Sequence, residues 1–435
     1  MKKLMIAALV VTFPVALFAQ SGTKSPYSQF GLGALAEQTS GFNKGMNGIG
    51  YGLREHNQVN YLNPASYSAL DSLTFLFDAG VSLQLNKFEE NGRRNHAKMA
   101  CFDYAVGAFR VAKNVGVGFG LIPYTNVGYS YVNTQNVNAF TSLHSTNATY
   151  TNTYSGEGGL HQAFLGAGWE PLKGLSLGFN VSYLWGQYNR RVVNTYSESY
   201  VNTLSRIYSA TVRNYKLDLG LQYTAKVTRK DKVTLGLTYG LGHQLHTDAE
   251  CLIISMNSQT ATADTTRYLV ENALAVPHVY GAGLAWNHHD KIKVGIDYQL
   301  QKWSKVDFPQ YKDSGDKPTY ELTSGLFTDR HKINVGGEYC KNERDRSFFN
   351  RLHYRAGFSY TTPYLKINGK DGPSEISVSA GLGIPIVNGY NNRSMLNISG
   401  QWVQQNADGF IKENSFRINI GFTFNERWFA KFKVE

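Results

Sequence analysis

From Ser72 onward the chain alternates apolar and polar residues at a period of two. Leu73, Phe75, Phe77, Ala79, Val81, Leu83 and Leu85 fall on one face, while Thr74, Asp78, Gly80, Ser82 and Gln84 fall on the other. Leu76 is the exception. The same alternation returns in Leu175–Trp185, Val233–Leu241, Ile292–Leu300 and Phe416–Phe424. Successive side chains of a strand point to opposite faces, so each stretch predicts a strand with one apolar and one polar face. Strand starts and stops give about fourteen strands.

Alternation alone fits a soluble sandwich as well as a membrane barrel; the connections separate the two. Every second connection is short, as at Ala112-Lys113-Asn114, Glu170 to Gly174, Thr228 to Lys232, Asn287 to Lys291, Lys341 to Ser347 and Val387 to Asn392. Those between them are mostly longer, notably Thr134 to Asn147, Asn194 to Asn202, Ala249 to Ala263 and Phe308 to Thr328. Short turns at one end and long loops at the other mark an even-numbered transmembrane barrel. Many strands exceed the roughly 9–11 residues that a tilted spanning strand needs, so the excess should project from the cell surface. Trp169 and Trp286 precede short turns, where an inner aromatic girdle would lie.

Ahead of the barrel, Gly45 to Ser72 shows neither period. It is rich in glycine (Gly45, Gly48, Gly50, Gly52) and closes on Asn63-Pro64-Ala65. Pro64 cannot donate to a ladder and pushes Asn63 out of the helical region. An irregular segment of this length is usually a lid, plug or binding loop, and a barrel lumen could hold it. Earlier still, the aromatic Ser25–Leu35 is expected to anchor at the periplasmic mouth.

The glycine-rich approach, Asn63-Pro64-Ala65 and a first strand directly after it resemble the outer-membrane FadL/TodX-type transport family. The resemblance implies a fourteen-stranded antiparallel barrel plugged by an N-terminal hatch. It also implies that Asn63, Pro64 and Ala65 lie near a lateral opening made by a kink in the third strand. That strand supplies Pro123, which removes a ladder bond and belongs at a bulge. Gly116, Gly118 and Gly120 precede it on the lumen face and leave room for a close approach. Asn63 is then expected beside the third strand. The chain divides into a signal peptide over 1–19, a hatch over 20–71 and a barrel over 72–435.

Met1-Lys2-Lys3, the apolar run Leu4–Phe18 and Ala19-Gln20 form that secretory signal. Of the 435 residues, 43 are Lys or Arg and 32 Asp or Glu, so the net charge of +11 becomes +9 without Lys2 and Lys3. This excess suits anionic lipid headgroups or lipopolysaccharide. The basic residues form no stripe with interleaved aromatics, which argues against nucleic acid. Cys101, Cys251 and Cys340 are widely spaced, with no disulfide framework, and are read as small apolar groups on or beside strands.

Enzyme chemistry finds little support. Gly48-Ile49-Gly50-Tyr51-Gly52 follows no strand and opens no helix, which excludes a dinucleotide loop. His243, His246 and Asn287-His288-His289-Asp290 lack a zinc spacing and read as solvated turns. Asp297 and Glu338 read as lumen carboxylates paired with bases such as Lys293, Lys332 and Arg355. No catalytic residue, metal or cofactor is assigned. Two functions stay open. One is passive uptake of small hydrophobic molecules past the hatch, with sideways exit near Pro123. The other is a non-transporting barrel subunit of an assembly or secretion machine, whose loops dock surface lipoproteins or other subunits.

Overall fold

The computed structural model describes residues 22–90, 92–136, 149–313, 317–387 and 393–426. The expected signal peptide, and parts of the connections after the third and twelfth strands, lie outside these residues. Fourteen antiparallel strands close into one barrel. In chain order they are β1 Phe75–Glu90, β2 Arg93–Ala112, β3 Val115–Asn136, β4 Thr149–Leu172 and β5 Leu175–Tyr196. Next come β6 Thr203–Lys226, β7 Asp231–Gly240, β8 Val279–His288, β9 Ile292–Gln301 and β10 Arg330–Tyr339. The last four are β11 His353–Thr361, β12 Ser374–Val387, β13 Arg393–Asn406 and β14 Lys412–Glu426. Closure is made by β1 against β14, from Phe75↔Glu426 to Glu89↔Lys412. Closing the sheet pairs its first strand with its last, the arrangement a strand-built membrane protein needs.

The expected faces hold. Ile418 and Ile420 are 37% and 39% exposed on the outside, whereas Asn419 between them is 3% exposed inside. Trp169 and Trp286 stand on the outer surface beside short turns. Leu76 turns inward with the polar set because it packs against Tyr67, Leu70 and Tyr104. All three cysteines are free and buried.

Connection lengths follow the expected alternation with three differences, the first being a β13–β14 connection of only five residues, 407–411, among the long ones. The β10–β11 connection runs from Cys340 to Leu352 and holds a short helix, Phe348–Arg351. At the other end, β1 and β2 join tightly, with Glu90 opposite Arg93. Strand excess is confined to one side: β2–β6 have 20 to 24 residues, but β7–β11 have 9 or 10. The outer part of β6 pairs with a separate hairpin, Ala249–Asn257 and Thr262–Val270, in place of β7. At this long-connection end Leu245, Leu274, Trp303 and Phe327 build an apolar core with Val127, Leu160 and Leu184 of the wall.

Candidate functional site

Residues 22–71 run inside the barrel. Ser25–Leu35 lies at the long-connection end, not at the periplasmic mouth expected for it. Tyr27 and Leu32 join the outer apolar core, and Tyr27 donates to the Ile411 carbonyl between β13 and β14. Burial of these apolar side chains decides the placement. The stretch that does reach the short-turn end is Arg54–Asn57.

Between these points the segment circles the wall, and wall glycines make room for it. Gly41 lies against Gly421 of β14, Gly45 against Gly381 of β12, and Met46 against Gly336 and Gly357 of β10 and β11. Ile49 lies over Gly295 of β9, and the Tyr51 carbonyl fills the place of a Cβ at Gly236 of β7. A Cβ at Gly336 would stand 2.9 Å from the Met46 oxygen, closer than a side chain tolerates. Polar wall groups then satisfy the irregular backbone. The Asp297 carboxylate accepts from the amides of Gly50 (2.7 Å) and Tyr51 (2.9 Å). Gln222 donates to the carbonyls of Tyr51 and Leu53 at 2.9 and 3.1 Å, and Asn47 to Ser377 at 2.8 Å. A buried backbone group left unpaired costs about 1–3 kcal/mol, so these bonds fix the path.

This corrects the expected role of Asp297, which has no cation partner among the described residues and holds backbone amides instead. Glu338 is charge-paired as expected, with Arg355 at 2.6 Å and Lys293 at 3.2 Å. Lys332 makes no ion pair among the described residues. At the short-turn end Asp71 accepts from His56 at 2.7 Å, and this bond raises the His56 pKa above its usual value.

Asn63-Pro64-Ala65 opens a short 3₁₀ helix, Pro64–Ala69, with the Asn63 side chain accepting from the Ala65 amide at 3.2 Å. Asn63 is not beside β3. Its amide nitrogen donates to Tyr51, to Leu221 of β6 and to Leu237 of β7, at 2.9, 3.1 and 3.4 Å. Pro64 rests on Gly168, Gly178 and Gly220 of β4, β5 and β6. Tyr67, four residues on, is what reaches β3, covering Gly116 and Gly118 with a Cβ at Gly118 2.7 Å from its ring. Gly120 faces no part of this helix; a Cβ there would meet Val106 and Ala105 of β2. Asn63 is thus not brought to Pro123, because its side chain is spent on capping and on carbonyls of β6 and β7.

Pro123 does mark an interruption. The β3–β4 register shifts between Pro123 and Thr125, and β2–β3 pairing ends at Ala105↔Leu121. Gly158, Gly159 and Gly186 adopt positive φ on β4 and β5 at the same height, so the bend continues across three strands. The seam is paired only from Ala112 to Ala105. At roughly 3.3 Å per residue and 45° tilt this is about 16 Å of an apolar band some 25 Å tall. Beyond it, a strand from the N-terminal segment takes the vacated edge of β3. Ala34 and Leu35 pair with Asn126 and Thr125, the Ala36 amide donates to the Tyr124 carbonyl at 3.0 Å, and Ser28 accepts from the Gly128 amide at 3.1 Å. Gln38 donates to the Pro123 carbonyl at 2.6 Å.

Behind this strand lies a cavity of about 300 Å³. Ala34, Leu35, Pro123, Tyr124 and Tyr364 give it an apolar side, and ion pairs a polar one: Glu37–Arg417 at 3.1 Å and Lys44–Asp103 at 2.6 Å. Sequence reasoning found Pro123 and the lumen glycines Gly116 and Gly118 of β3, but missed Ala34–Gln38 and the wall glycines of the other strands. The latter were signalled by glycines recurring on the lumen face of strand after strand.

An internally filled fourteen-stranded barrel with one interrupted seam has the FadL/TodX fold, the fold of outer-membrane channels for hydrophobic compounds. The toluene transporter TbuX of Ralstonia pickettii is 13% identical, covers 89% of this chain and 98% of its own, and superposes with a TM-score of 0.58. The toluene transporter TodX of Pseudomonas putida gives 14%, 92%, 100% and 0.56. A Pseudomonas aeruginosa FadL homologue gives 12%, 90%, 98% and 0.54. Within that fold the chain belongs to the BamG family, whose model matches residues 1–435. No curated protein matches it.

Proposed function

We propose that this chain is an integral outer-membrane barrel that exchanges a small apolar or amphipathic molecule sideways between its lumen cavity and the bilayer. The observation that carries this reading is the unpaired seam above Ala105 and Leu121 with a cavity directly behind it. The cavity volume is at the lower end of the roughly 300–1,000 Å³ of small-molecule sites. A sideways path suits an apolar solute, which gains nothing by leaving the membrane for water. The ion pairs on the far wall favour an amphipathic molecule, its head toward Glu37 and Arg417 and its tail toward Pro123. In this reading residues 20–71 are the hatch, and the strand Ala34–Leu35, not Asn63-Pro64-Ala65, is its moving part at the gate. The fold shared with hydrocarbon channels supports the reading. The outer leaflet lipid and lipopolysaccharide would surround the seam.

A second reading rests on a different observation. The long connections pack into an ordered apolar core over the outer end, and ordered loops make a platform on which surface lipoproteins or other envelope subunits could dock. Native mass spectrometry of protein purified in mild detergent separates the two. Lateral exchange predicts a bound small molecule that is lost when Leu35→Arg fills the cavity. Stoichiometric protein partners without any bound small molecule would establish the platform reading instead.

A further inference from the structure

The short-turn end carries a second, larger cavity of about 1240 Å³ that shares no lining residue with the one behind the seam. Its floor is the N-terminal segment at Gly52–Asn57, pinned by Gln222 on the Leu53 carbonyl. It is therefore a blind basin that opens at the short-turn end, with the outer-face residues Tyr223 and Trp286 at one edge.

Its charges are unevenly engaged. Eight Lys or Arg and five Asp or Glu line it. Each acid already has a cationic or histidine partner: Glu170 has Arg54, Glu55 has Lys293, and Asp71 has His56. Asp290 has Lys232, and Glu343 has His353. Lys173, Lys226, Lys291, Lys341 and Arg344 make no ion pair among the described residues. They come from three separate connections and the end of β6 and converge on one opening. Fixed like charges around a low-dielectric concavity focus an attractive field on an anion.

We infer that this basin is a docking site for an acidic, extended peptide segment of a periplasmic protein. Its volume exceeds the roughly 300–1,000 Å³ of a small-molecule site, which favours a peptide over a free anion. Its floor on the N-terminal segment lies inside the barrel, so a bilayer headgroup would meet only the edge that carries Tyr223 and Trp286. Acidic side chains along a flexible strand can meet cations spread around a rim, whereas one headgroup cannot.

The test uses the full mature chain in detergent and a fluorescent deca-glutamate peptide. Saturable binding is expected, weakened roughly tenfold or more by raising salt from 50 to 300 mM. Combined Lys173→Glu, Lys291→Glu and Lys341→Glu should weaken it by a similar factor or more, while Lys→Gln at the same positions should give an intermediate loss. Gel mobility before and after heating confirms that each variant is folded. The inference is overturned if the wild-type chain does not bind the peptide or the reversed variant binds it equally. It is also overturned if inorganic polyphosphate binds as tightly as the peptide, since the basin would then read charge alone. Small-molecule exchange at the seam is measured separately and does not depend on the outcome.

Discussion

Removing the Asp297 carboxylate should release the N-terminal segment from the wall without unfolding the barrel. Asp297→Ala leaves two buried donors, the amides of Gly50 and Tyr51, without the acceptor they now share at 2.7 and 2.9 Å. At about 1–3 kcal/mol per orphaned donor the loss is about 2–6 kcal/mol, and water drawn into the vacated space should hold it to about 2–4. The wall strand itself is untouched, because β9 keeps its ladder to β8 and β10. Local opening at Gly50 and Tyr51 should therefore rise roughly 30- to 700-fold, at tenfold per 1.4 kcal/mol. Hydrogen exchange followed by mass spectrometry on residues 45–60 reads this directly, with peptides from β9 and β14 as internal controls. Asp297→Asn keeps one acceptor oxygen and should fall between. Unchanged exchange in the alanine variant would refute the pinning argument. Equal loss of protection across β9 would show that Asp297 holds the wall, not the segment.

Three further outcomes are expected. Ile418→Arg places a charge on the lipid face and should cost about 2–4 kcal/mol near the midplane; Asn419→Ser, inside, should leave folded levels unchanged in the same assay of outer-membrane insertion. Pro123→Ala restores one backbone donor at the bulge, so uptake of a long-chain fluorescent probe should fall while folded abundance holds. Reduced abundance would assign Pro123 a structural role. The third concerns pH. Asp71 raises the His56 pKa, so the stabilisation is complete below the unfolded value of about 6.5 and is lost as pH rises through the higher folded value. Proteolysis of the 54–71 stretch should thus become easier from pH 6 to pH 9, and His56→Ala should abolish that dependence.

The barrel was legible because alternation and loop length are local properties, and a one-residue slip would have turned Ile418 inward and Asn419 out. Leu76 broke the pattern for a reason the sequence did not show: the polar face opposite Tyr67 and Tyr104 is locally apolar. Pro123 announced a bulge, since its chemistry permits little else in a closed sheet. The open seam did not announce itself, because the end of β2–β3 pairing depends on the register of two strands, which alternation does not specify. Asn63-Pro64-Ala65 was visible as a motif but misplaced. Its neighbours are set by the circular path of residues 41–67, and that path depends on lumen glycines such as Gly236 and Gly336 that look like any other strand glycine.

Locking the segment strand to β3 tests the central claim most directly. Leu35 and Thr125 are paired residues, and with the Ala36 amide on Tyr124 they form the closer, non-hydrogen-bonded kind of antiparallel pair. Their Cα separation should be about 4.5 Å, within disulfide range. In a background with Cys101, Cys251 and Cys340 replaced by serine, Leu35→Cys with Thr125→Cys should close the seam on oxidation. Proteoliposome uptake of a long-chain fluorescent probe should then stop and should return on adding reductant. Equal uptake by the oxidised and reduced forms, with the disulfide confirmed by mass, would contradict lateral exchange at this seam.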